Sequence, residues 1–116
     1  MPVDMRLMLE KMVRHCENAE KYARGLSYDE FVQNELYLTF AIFSLSQLGE
    51  LATVLDNCTD CRNRFPDLPW TAMKSLRNNI VHDYDGLRLN VIWATICEDI
   101  PALKVQLTNI LSQSEI

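Results

Sequence analysis

The sequence is poor in the residues that break helices. Three glycines and four prolines punctuate its 116 residues, too few for the many turns of a β fold, so long helices are expected. Positive charge is also scarce. Eleven Lys and Arg face sixteen Asp and Glu, giving a net charge of −5 and a pI near 4.9. Nonspecific coating of DNA or RNA needs a basic surface and is excluded; a local basic pocket is not. The longest apolar run, LYLTFAIFSL, falls far short of the roughly 20 residues of a membrane span. The opening MPVDMRLMLEKM mixes acids and bases with apolar residues, unlike a signal peptide. These absences predict a cytoplasmic protein with no membrane partner. Internal repeats and low-complexity segments are missing too, and the length suits a single domain, residues 1–116.

Four cysteines without a secretion signal are expected as free thiols. Cys58 and Cys61 form a lone C-x-x-C, CTDC. A zinc site would need a second ligand pair, and the nearest candidates, His15 and Cys16, are adjacent residues in another segment. A thioredoxin-like role needs a βαβ context that the pattern does not offer. The pair reads as a helix end and its loop, and no metal or cofactor is expected. Cys16 and Cys97 fall in helical patterns and read as core or near-core residues, and His15 as a surface residue.

What is present is helical periodicity. Met5, Met8, Leu9, Met12, Val13, Cys16, Ala19 and Ala23 recur at three- and four-residue spacing, predicting a helix from Asp4, its cap, to about Arg24, with Gly25 ending it. A second helix is predicted from Tyr28 to about Leu55, opened by a capping box of Ser27 and Glu30. Its middle, Leu36 to Leu45, is apolar nearly all round. Such a stretch is buried on two sides, either by neighbours within the domain or by a second chain. A loop, DNCTDCRNRFPDLP, leads to a third helix opening at Trp70 and ending around His82 to Asp85, where Gly86 is expected to supply a left-handed stop. The last helical section starts near Leu89 and is expected to break near Pro101, with Asp99 capping the fresh helix. The sum is an all-α, antiparallel four-helix bundle.

Polar groups concentrate in SLRNNIVHDYDG, residues 75–86. Part of this is helix-end chemistry: cations suit a C-terminal dipole, and DYDG is turn-forming. Asn78 and His82 are four apart and share a face; Arg77 and Tyr84 share another if the helix persists. Arg77 and His82, five apart, lie about 140° apart around an ideal helix. A site using both must therefore sit where the helix unwinds or in a cleft that wraps its end, and a helix end facing a second chain meets that demand. Arg holds phosphate with paired hydrogen bonds, and imidazole exchanges protons near neutrality. Together they suit metal-independent RNA cleavage, in which a 2′-hydroxyl attacks the adjacent phosphorus.

RNNIVHDY also resembles the R-x-x-x-x-H-x-Y motif of the HEPN superfamily, in the form carried by HepT toxins of HepT–MntA systems. LGELA, around Gly49 and Glu50, resembles the family's second-helix signature, FPDLPWTAMKSLRN the stretch before the motif, and DIPALKVQL the segment opening the last helix, in the right order. The resemblance implies a four-helix bundle of HEPN type that forms a homodimer with a shared cleft. It implies catalytic roles for Arg77 and His82, with Asn78 as the supporting polar residue after the Arg. It further implies a type VII toxin–antitoxin system: an endoribonuclease acting on tRNA or mRNA, disarmed when an MntA-like nucleotidyltransferase antitoxin AMPylates Tyr84. The competing expectation is a non-enzymatic nucleotide- or partner-binding subunit of a nucleotidyltransferase. The resemblance gives CTDC no role.

Overall fold

A computed structural model describes residues 3–113. Every regular element among them is helical. Helix α1 (Met5–Ala23) begins where the Asp4 carboxylate accepts the Leu7 N–H at 3.0 Å. It turns at Gly25, whose φ of 77° is the left-handed geometry that glycine adopts without strain. Leu9, Met12, Cys16, Ala19 and Ala23 form its buried stripe.

The capping box opens α2 (Tyr28–Gln33): Ser27 Oγ accepts the Glu30 N–H, and the Glu30 carboxylate accepts the Ser27 N–H. The single helix expected from Tyr28 to Leu55 is in fact two. Asn34 leaves helical geometry (φ −90°, ψ 91°), and its Oδ1 takes the Tyr37 N–H at 3.1 Å, starting α3 (Glu35–Cys58). An asparagine side chain competes for backbone donors in this way, so it caps rather than continues a helix. The loop after α3 holds one helical turn, α4 (Cys61–Arg64). Trp70, buried with its Nε1 donating to Phe65 O at 3.0 Å, anchors that loop at the start of α5 (Trp70–His82).

Helix α5 stops at His82, but Gly86 is not left-handed; Gly25 alone has positive φ among the described residues. Tyr84–Gly86 form a 3₁₀ turn instead, and a side chain on Gly86 would run into the Asp83 carboxylate. The interruption near Pro101 takes the form of a wide turn. Helix α6 (Leu89–Ala94) passes through a π turn, Thr95–Asp99, into α7 (Ile100–Leu111), with the Ile100 N–H reaching back to Thr95 O. Pro101 has no N–H and its ring crowds the preceding turn; the wider π turn accommodates both. Asp99 makes no capping bond, because the helix arrives there already wound.

Helix α3 packs on α1 and α5, and α1 packs on α7. The shared core includes Leu9, Met12, Phe31, Leu45, Leu48, Leu55, Trp70, Ile96 and Leu107; each fully buried aliphatic there contributes about 1.5–3 kcal/mol. By length and composition α3 could cross a membrane, but its Leu45, Leu48, Ala52 and Leu55 are core residues of this helical packing. The α5–α7 side stays open as a groove of about 510 Å³, floored by Leu48, Met73 and Leu103.

Of the cysteines, Cys16 and Cys61 are buried, and burial pushes their thiols up to about 12 and about 11. Cys58 is exposed at the end of α3. Cys97, expected in or near the core, is exposed as well: it directly follows Ile96 and lies off the buried stripe that Ile96 and Ile100 occupy.

Candidate active site

The site is built where α5 crosses α3. Met73 and Ile80 on α5 are buried, and Leu76 packs against the same core. This orientation turns Arg77 toward α3, where its Nε donates to Glu50 Oε2 at 2.8 Å. The next residue accepts from the same guanidinium: Asn78 Oδ1 takes an Nη1 hydrogen at 3.0 Å. Gly49 makes the approach feasible. A Cβ at that position would lie 2.5 Å from Arg77 Cβ and 2.6 Å from Met73 O, so only glycine lets the helices touch here. A second pair ties the same two helices further along, Lys74 Nζ to Asp56 Oδ2 at 2.9 Å. Arg62 joins that carboxylate at 3.0 Å. The Lys74 ammonium and the Arg62 guanidinium hold the Asp56 carboxyl below the usual carboxylate range.

Four sequence-predicted residues thus divide into two groups. Arg77 and Asn78 are joined by a hydrogen bond. His82, the last residue of α5, and Tyr84, in the 3₁₀ turn, are exposed, and no hydrogen bond links either to Arg77 among the described residues. The helix ends before Tyr84, so the shared face that a continuing helix would give Arg77 and Tyr84 does not form. Glu50 lies in the LGELA stretch that the resemblance marks, but its place beside Arg77 is not part of the R-x4-H-x-Y motif. Its signal is its isolation: between Leu36 and Leu55 it is the sole charged residue.

Glu50 also belongs to a longer surface. At about 100° per residue, Leu36, Phe40, Phe43, Gln47 and Glu50 fall on one face of α3. Leu36 is 58% exposed, Phe40 42% and Phe43 56%, an apolar stripe that runs directly toward the Glu50–Arg77 pair. Val81, one turn beyond Arg77 on α5, is exposed too. Beside the stripe a cavity of about 340 Å³ lies between α1 and α3, lined by His15, Tyr22, Phe40, Phe43 and Ser44. His15 is therefore not a plain surface residue. Its Nδ1 is buried without a hydrogen-bond partner among the described residues, and burial, with Arg14 nearby, pushes its pKa down. Cys58 and Cys61 belong to no group of three or more potential metal ligands among the described residues.

An all-α chain with R-x4-H-x-Y at the end of a core-packed helix defines a HEPN-type protein. The description of the matching family is narrower: the HepT-like ribonuclease model covers residues 12–110, and the chain belongs to that family. Among curated relatives, "Probable ribonuclease HepT" of Thermococcus cleftensis is 30% identical over 83% of this chain and 86% of its own length. "Putative RNase MJ1380" of Methanocaldococcus jannaschii is 29% identical over 87% of this chain and 91% of its own. "Putative RNase TTE0752" of Caldanaerobacter subterraneus is 28% identical over 95% and 96%. No solved structure gives a significant match.

Proposed function

We propose that this chain is the toxin of a type VII toxin–antitoxin system, a metal-independent endoribonuclease whose Arg77 and His82 act in the cleft of a homodimer. One observation carries the reading: the α3 face that holds Arg77 through Glu50 is the face that exposes Leu36, Phe40 and Phe43. A second copy seated on that stripe buries the aromatics by a two-fold contact and brings the motif ends of both chains beside one another. Within one chain Arg77 and His82 diverge by about 140° around the helix, and a cleft between two helix ends removes that obstacle.

In the cleft Arg77 binds the scissile phosphate and stabilises the charge that grows on its oxygens. His82 takes the proton of the attacking 2′-hydroxyl or gives one to the leaving 5′-oxygen. Asn78 restrains the guanidinium. Tyr84, two residues beyond His82 on an exposed turn, is the acceptor for AMP from a nucleotidyltransferase antitoxin. Added phosphates there compete for Arg77 and repel RNA.

Phe43→Glu tests the dimer. In a two-fold contact the buried, unpaired charge is introduced twice, so the variant should elute as a monomer in light-scattering chromatography and lose RNA cleavage; a dimer that persists rules this face out. Tyr84→Phe tests the switch. Incubated with the antitoxin and ATP, it should gain no AMP by mass spectrometry and stay active, whereas AMP on another residue would refute the assignment. Protein that binds AMP yet leaves tRNA and mRNA intact would make the chain a binding subunit instead.

A further inference from the structure

The Arg77 guanidinium has five N–H donors. One, on Nε, goes to Glu50 Oε2 at 2.8 Å, and one, on Nη1, goes to Asn78 Oδ1 at 3.0 Å. The remaining three lie on the terminal nitrogens, the end of the fork that grips a phosphate in two-point fashion. The carboxylate thus takes the side edge of the guanidinium and leaves its end open. We infer that Glu50 is a positioning residue for Arg77: it fixes the plane and direction of the guanidinium so that the terminal nitrogens meet the phosphate as its charge develops. This role rests on the ribonuclease reading above and adds to it a residue on another helix, 27 positions away in sequence.

A purely structural role for the pair is the alternative, and the packing argues against it. Helix α5 is held on α3 independently, by buried Met73 and Ile80 and by the Lys74–Asp56 pair. Glu50 has a side chain 46% exposed and Arg77 one 28% exposed, and ion pairs so open to water add little to stability. An acid placed against a phosphate-binding cation also weakens RNA attraction. Glu50 therefore costs the site affinity, and orientation is what it supplies in return.

These roles separate in kinetics of the full-length protein on an RNA substrate. Glu50→Ala should keep its melting temperature and bind RNA as tightly as wild type or more so. Its kcat should fall about tenfold to a hundredfold, the cost of a misdirected catalytic group. Glu50→Gln, whose amide oxygen still accepts from Nε, should stay within about threefold of wild type. In an Arg77→Lys background, where the Nε fork is absent, Glu50→Ala should cause no further loss. Undiminished kcat in folded Glu50→Ala overturns the inference, as does a loss shared equally by Glu50→Gln or one expressed only as weaker RNA binding. If wild-type protein itself leaves RNA intact, it is the ribonuclease reading that fails.

Discussion

His82→Ala is expected to lower RNA cleavage by about 100- to 10,000-fold, the usual contribution of a positioned acid–base group, with no measurable change in melting temperature. Both halves follow from where the residue sits. His82 closes α5, exposed, and its side chain makes no hydrogen bond within the described chain. Removing it leaves no cavity and strands no buried partner, the two mechanisms behind large losses of stability. Helix α5 keeps its core anchors Trp70, Met73 and Ile80. An exposed side chain at a helix C-terminus adds at most a few tenths to about 1 kcal/mol through the helix dipole. The expected signature is a folded, dimeric protein that still binds RNA and does not cut it. Full activity in the variant would remove His82 from the mechanism.

Gly49→Ala should act in the opposite way, through the scaffold. The added methyl would sit 2.5 Å from Arg77 Cβ and 2.6 Å from Met73 O, well inside van der Waals contact on both sides. Neither neighbour is the free end of a flexible chain; one is a backbone carbonyl and the other the root of the Arg77 side chain. Relief therefore requires α5 to move off α3. Overpacking of this kind costs about 1–3 kcal/mol, which at this chain length lowers the melting temperature by several degrees. The same movement pulls Arg77 away from Glu50, so cleavage should fall along with stability. Gly25→Ala is the control. That site has open space for a methyl but a φ of 77°, so it should lose stability through backbone strain without touching the site. Equal melting temperatures for Gly49→Ala and wild type would show that the helices do not meet as closely as described.

Much of this molecule is legible in its sequence because its signals are local. Stripes at three- and four-residue spacing, Asp4, the Ser27–Glu30 box and Gly25 specify α1 and the start of α2 from neighbouring residues alone. The break at Asn34 was hidden because apolar residues follow it on all sides, and periodicity cannot mark a boundary where every face is apolar. Its one signal is the asparagine itself. At Pro101 the interruption is legible but not its form, since a π turn and a cap answer the same missing N–H. The candidate site divides similarly. Arg77, Asn78, His82 and Tyr84 lie within eight residues and announce themselves as a motif. Glu50 does not, because its tie to Arg77 depends on how α3 and α5 cross, and that crossing is set by core packing and by the absence of a side chain on Gly49.

The direct measurement is the chemistry of the cut ends. Attack by the 2′-hydroxyl, with proton transfer by His82 and charge stabilisation by Arg77, leaves a 2′,3′-cyclic phosphate on one fragment and a 5′-hydroxyl on the other. Purified wild-type protein incubated with tRNA or mRNA in EDTA should yield those ends, and His82→Ala should not. Intact RNA, cleavage that EDTA abolishes, or fragments carrying 5′-phosphates would contradict the assignment of Arg77 and His82 as the cutting pair.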